Sequence, residues 1–105
     1  MGMREHLEHI ARVLRANGEL TRAAMVEDSL AGTDDELNAF LSSNDLWGGS
    51  GSIADCMLGE RRSDATRKLE RLLIRLGREQ LSCGISNQRT AMWVKAFTKW
   101  KRMKL

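Results

Sequence analysis

The stretch of this 105-residue chain that comes nearest to a recognised chemistry is Leu46 to Asp55, LWGGSGSIAD. Gly48, Gly49 and Gly51 let consecutive backbone N–H groups converge, and a helix opening at Ile53 would add its positive end, which together make an anion cradle. A nucleotide-binding P-loop, however, sets a lysine and a hydroxyl after its last glycine, whereas here Ser52, Ile53, Ala54 and Asp55 follow and the acid has the wrong sign. No hydrophobic strand leads into the loop either, as nucleotide-binding loops require. Ser52 with Asp55 three residues on reads better as an N-cap pair, a variant of the capping box. The same stretch holds Trp47, which either plugs the core over closely approaching backbone or stands out as a partner's anchor. In a chain with three tryptophans, two phenylalanines and no tyrosine, the core is its expected use.

His6 and His9 stand three apart beside Glu5 and Glu8 and can share a helix face as half of a metal site. Without a third convergent ligand they read as a solvated pair, and no metal is expected. Cys56 and Cys83 form no C-x-x-C pair, so two partly buried reduced thiols are expected, a disulfide being the lesser alternative. No spacing brings a histidine to a cysteine or serine as a base. No catalytic residue and no cofactor are therefore assigned, and the chain is read as a non-enzyme.

Charge is distributed unevenly. Residues 1 to 59 carry 4 basic and 10 acidic side chains (net −6), while residues 60 to 105 carry 13 basic and 4 acidic (net +9). Arg67, Arg71, Arg75 and Arg78 recur at helical spacing, as do Lys95, Lys99 and Arg102, with Lys101 and Lys104 nearby. Side by side, two such stripes would wall a groove for nucleic acid or an anionic surface; apart, each is a solvated face paired in part with the acidic half. The acids Glu27, Asp28, Asp34, Asp35, Glu36 and Asp45 gather near the second and third helices, where they suit either helix ends or a basic partner.

The elements that must position these residues are helices. The chain has no proline and no useful apolar/polar alternation, so strands are not its main material. Residues 4 to 17 put Leu7, Ile10, Ala11 and Leu14 on one face, and Gly18 ends that helix. Residues 21 to 31 repeat the pattern through Ala23, Val26 and Leu30 up to Gly32. Thr33 to Glu36 form a capping box ahead of a helix burying Leu37, Phe40 and Leu41. Ile53 to Leu58 are expected as one or two further turns stopping at Gly59. The longest helix, Asp64 to Ser82, buries Leu69, Leu72, Leu73 and Leu76, with Gly77 marking a close helix crossing. A last helix, from Ser86 or Asn87 to Met103, buries Trp93, Ala96, Phe97 and Trp100. The expectation is all-α: one domain over residues 1–105, a compact bundle of about five helices with a glycine-rich loop in the middle. No apolar run approaches the ~20 residues of a membrane span, and a cytoplasmic location is expected.

The segments Arg15-Ala16-Asn17-Gly18, Leu46 to Asp55 and Arg89 to Phe97 (RTAMWVKAF) together resemble a family of small, uncharacterised bacterial proteins with an L-W-G-G-x-G-S-I-x-D segment. The resemblance implies no activity; it implies an immunity or antitoxin-like role, with a toxin or effector as partner. The functional expectation is thus a non-enzymatic protein that masks another protein. The expected contact residues are Trp47, Gly48, Gly49, Gly51 and Asp55 with Asp34, Asp35 and Asp45. The alternative is a nucleic-acid-binding module using Arg67, Arg71, Arg75, Lys95, Lys99 and Arg102.

Overall fold

The computed structural model describes residues 2–59 and 63–103. The fold is all-α, with no strand among the described residues. Its helices are α1 (Met3–Ala16), α2 (Leu20–Ala31), α3 (Asp34–Leu41), the single turn α4 (Asn44–Trp47), α5 (Asp64–Cys83) and α6 (Thr90–Met103). None is long and apolar enough to cross a membrane.

Local signals set most of the boundaries. At the end of α1, Gly18 takes a left-handed φ of 82° that a side chain would resist, and the chain closes on itself: the Gly18 N–H donates to the Arg15 carbonyl at 3.3 Å and the Glu19 N–H to the Leu14 carbonyl at 2.9 Å. The capping box ahead of α3 forms as expected. The Glu36 N–H donates to Thr33 Oγ1 at 3.1 Å, and the Thr33 N–H to the Glu36 carboxylate at 3.3 Å. Ser63 caps α5 by accepting from the Thr66 N–H.

Helix α5 is the axis of the molecule, with α1 packed along one side and α6 along another, and α2 laid against α1. Leu7, Ile10 and Leu14 of α1 meet Leu69, Leu73 and Leu76 of α5 in one contiguous core that also takes in Leu41, Leu46 and Ile53. The crossing marked by Gly77 is real: a methyl group there would lie 2.3 Å from Val94 Cγ2 and 3.2 Å from the Trp47 ring, so only glycine lets α6 and the tryptophan come this close.

Two expectations are corrected. Residues 53–58 are turns rather than helix, and the short helix, α4, lies before the glycines. The cause is backbone pairing: the Ile53 and Ala54 N–H groups donate to the carbonyls of Asp45 and Leu46, both at 2.9 Å, which fastens this segment onto α4 and takes the chain off a helical path. Ser52 still performs the capping expected of it, its Oγ accepting from the Asp55 N–H at 3.2 Å, but the turn goes no further. Helix α6 is also rotated from the expected register. Thr90, Val94 and Phe97 are buried, while Trp93, Ala96 and Trp100 lie half-exposed on its flank.

Candidate functional site

The glycine loop is built into the core. Trp47 and Gln80 are both 0% exposed, and the Trp47 indole N–H donates to Gln80 Oε1 at 2.9 Å. The Gln80 amide nitrogen donates in turn to the carbonyls of Leu41 (2.7 Å) and Ile85 (2.8 Å), so one side chain ties α3, α4 and the α5–α6 turn to α5. At Gly48 a Cβ would fall 2.2 Å from the Asn44 carbonyl oxygen. The Gly48 carbonyl accepts from Trp93 Nε1 at 3.0 Å and from Ser52 Oγ at 3.1 Å. The Arg89 guanidinium lies over Gly49, and the Gly51 carbonyl accepts from Arg22 Nε and Nη2 at 3.3 and 3.1 Å.

These contacts decide between the two readings of Trp47 and its glycines. A ring with no exposed surface cannot anchor a partner, so Trp47 is a core residue, and Gly48, buried beside it, likewise presents no side to a protein. Of the expected contact set, Gly51, Asp55, Asp34, Asp35 and Asp45 are exposed and Gly49 is half-buried. They do not form one constellation. Asp34 and Asp35 sit in the first turn of α3 and Asp45 in that of α4, where each complements a helix N-terminus. Asp34 also pairs with Arg4 of α1 at 3.0 Å.

The two histidines do not share a solvated face as expected. His6 is 4% exposed, wedged between α1 and α5, with Nε2 3.9 Å from Glu79 Oε1 and no hydrogen-bond partner for its buried Nδ1. His9 is half-exposed in a groove with Arg12, Asp64 and Lys68. The described residues hold no cluster of three or more metal-ligating side chains. Of the two free thiols, Cys56 is buried and Cys83 exposed.

The exposed face of α5 is different in kind. Lys68, Arg71, Arg75 and Arg78 are exposed and Arg67 half-buried, and at 100° per residue the five fall within one side of the helix. From Arg67 to Arg78 the stripe runs about 16 Å at the helical rise. Among the described residues the arginine–carboxylate pairs that join elements, Arg4–Asp34 and Arg15–Glu27, link α1 to α3 and α2 within the acidic half, Arg22–Glu19 is local, and the loose His6–Glu79 contact reaches from α1 to α5. None of the five α5 cations makes an ion pair with another described residue. Among the described residues, no α5 cation is therefore neutralised by an acid of the first half.

Lys95, Lys99 and Arg102 are exposed as well, but they stand on the side of α6 turned away from Val94 and Phe97 and hence away from α5. The α6 stripe thus does not face α5, and the two stripes do not wall a groove between these helices. Lys104 lies outside the described residues.

One further concavity was not legible in the sequence. Segment 54–57 and the flank of α6 enclose a groove of about 250 Å³ lined by Asp55, Met57, Glu70, Trp93, Phe97 and Trp100. The aromatic positions of α6 account for it: Trp93, Phe97 and Trp100 cover an arc displaced by about 60° from the Thr90, Val94 and Phe97 face that packs inward, which leaves the two indoles on the flank. No protein-family model matches the chain, and no curated protein or solved structure matches it significantly.

Proposed function

We propose that this protein is a non-enzymatic binding module that docks a polyanion, in particular nucleic acid, on the exposed face of α5. The observation that supports it is the stripe Arg67, Lys68, Arg71, Arg75 and Arg78, five cations without an ion pair to any described residue. A structural surface helix would interleave acids to relieve that repulsion, at a few tenths of a kcal/mol per i,i+4 pair. Asp64 and Glu79 stand at i,i+4 to Lys68 and Arg75 at the two ends of the stripe, but neither closes an ion pair with it, which leaves the repulsion between the central cations to be relieved by an external anion. Contacts of this kind are to the phosphate backbone, so binding is insensitive to sequence and steeply dependent on salt. With three to five phosphates engaged, affinity for an arbitrary duplex falls roughly 40-fold to 500-fold between about 50 and 200 mM salt. Charge reversal at Arg71 and Arg78, both exposed, should abolish that binding while helicity is kept. Failure of the unmodified protein to bind duplex DNA or RNA even at low salt would reject the reading.

A second reading, a protein partner masked in an immunity or inhibitor-like manner, is favoured by a separate observation. The aromatic groove beside Asp55 opens on the flank of α6 away from its lysine stripe and offers half-exposed indoles, the residue type most often found at the centre of protein interfaces.

A further inference from the structure

From the groove's wall, its charge and its size we infer that it receives a single arginine or lysine side chain of a partner polypeptide; this rests on the protein-partner reading and not on the polyanion one. The wall presents the two half-exposed indoles of Trp93 and Trp100, braced by the buried Phe97 between them. Trp93 and Phe97 stack with centroids 5.3 Å apart, and Phe97 meets Trp100 edge-on at 5.6 Å. The faces of such rings carry the negative part of their quadrupole and attract a guanidinium or ammonium group. The Trp93 ring is already held, because its indole N–H donates to the Gly48 carbonyl at 3.0 Å, so binding need not order it. Across the groove lies Met57, 53% exposed, an unbranched side chain that adapts to what it covers.

Asp55 supplies the charge. Its carboxylate is exposed at the groove and makes no ion pair with a described residue. Arg22, whose charge is felt at neighbouring Cys56, is committed to Glu19 at 2.5 Å and to the Gly51 carbonyl, so it does not neutralise Asp55. An anionic occupant would meet a like charge here. A purely apolar one would strip water from the carboxylate without replacing it. A volume of about 250 Å³ lies below the usual range for drug-sized ligands and matches one long side chain.

The test uses the full chain and two blocked pentapeptides, Gly-Ser-Arg-Ser-Gly and its citrulline counterpart, which has nearly the same shape without the charge. Tryptophan fluorescence is followed at physiological salt. The arginine peptide should perturb the emission, and the citrulline peptide should bind about three to five times more weakly. Asp55→Asn and, separately, Trp100→Leu should each weaken the arginine peptide by a similar factor, while Arg71→Glu with Arg78→Glu leaves it unchanged. Equal binding of the two peptides, no binding of either, or insensitivity to both groove substitutions would overturn the inference. Because the α5 variants report only on duplex binding and the groove variants only on the peptide, failure of one reading is distinguishable from failure of the other.

Discussion

Trp47 and Gln80, separated by 33 residues in sequence, are joined by a fully buried hydrogen bond of 2.9 Å from the indole N–H to the carboxamide oxygen. Every hydrogen-bonding atom of the glutamine side chain is used, since its amide nitrogen also serves the carbonyls of Leu41 and Ile85. A conspicuous tryptophan-glycine segment that looks like a ligand loop is thereby converted into the clasp between α4 and α5. Polar atoms buried in this way are costly to leave unpaired, so the clasp specifies one arrangement of the chain around it.

Gln80→Ala should destabilise the protein by about 2–4 kcal/mol, because it opens a cavity and leaves the Trp47 N–H and two carbonyls without partners. Urea unfolding followed by circular dichroism measures this. Binding to duplex should survive in conditions where the variant is folded. A loss below about 1 kcal/mol would mean that the network is redundant.

Gly77→Ala separates helix propensity from packing. Alanine gains roughly 1 kcal/mol over glycine in a helix interior. At this position, however, its methyl group would sit 2.3 Å from Val94 Cγ2, on a branched side chain with little rotamer freedom, and overpacking costs about 1–3 kcal/mol. The expected outcome is net destabilisation that Val94→Ala relieves, so that the double variant is more stable than additivity predicts. Additive behaviour would show that α6 simply moves away.

How far the sequence reached depends on the range of the interaction involved. The Thr33–Glu36 box, the stop at Gly18 and the leucines of α5 are local statements, complete within a turn or two, and they stand in the structure as read. The close approach at Gly77 was legible because glycine inside a long helix is penalised unless something needs the space. Gln80 was not legible, since its three partners come from α3, α4 and the turn after α5, and no local pattern distinguishes it from a surface glutamine. The register of α6 is ambiguous in the sequence for a related reason. Helical spacing admits either Trp93, Phe97 and Trp100 or Thr90, Val94 and Phe97 as the inner face, and the narrow seat beside Gly77 accepts the smaller Val94. The burial of His6 is encoded in its spacing: it stands four residues before Ile10 and seven before Val13, both buried on the same stripe.

The cysteines differ in reactivity. Burial pushes the Cys56 thiol up, Glu19 and Asp55 raise it further, and Arg22 opposes them, so little thiolate forms there at neutral pH. Cys83 is exposed. A thiol reagent at pH 8 should therefore modify one cysteine promptly in the native protein and the second only on unfolding, and Cys83→Ser should remove the prompt phase. Two equally prompt thiols would contradict the burial of Cys56.

His6 makes the fold acid-sensitive. Burial lowers its pKa from the ordinary value of 6.5; Glu79 acts in the opposite sense, and Arg75 and His9 add to the lowering. The unfolded chain therefore takes up a proton more readily than the folded one, so the contribution of neutral His6 to stability is full above about pH 6.5 and is lost as the pH falls through that value toward the folded pKa. Glu79 is only half-buried and 3.9 Å from Nε2, too loosely placed to reverse this, and the buried Nδ1 has no acceptor for a second proton. The urea midpoint should accordingly drop between pH 7.5 and 5.5. His6→Leu should flatten that dependence, and by removing a buried nitrogen without a partner it should leave the protein no less stable at pH 7.5. A midpoint that rises on acidification, or an unchanged slope in His6→Leu, would show that Glu79 rather than burial governs the site.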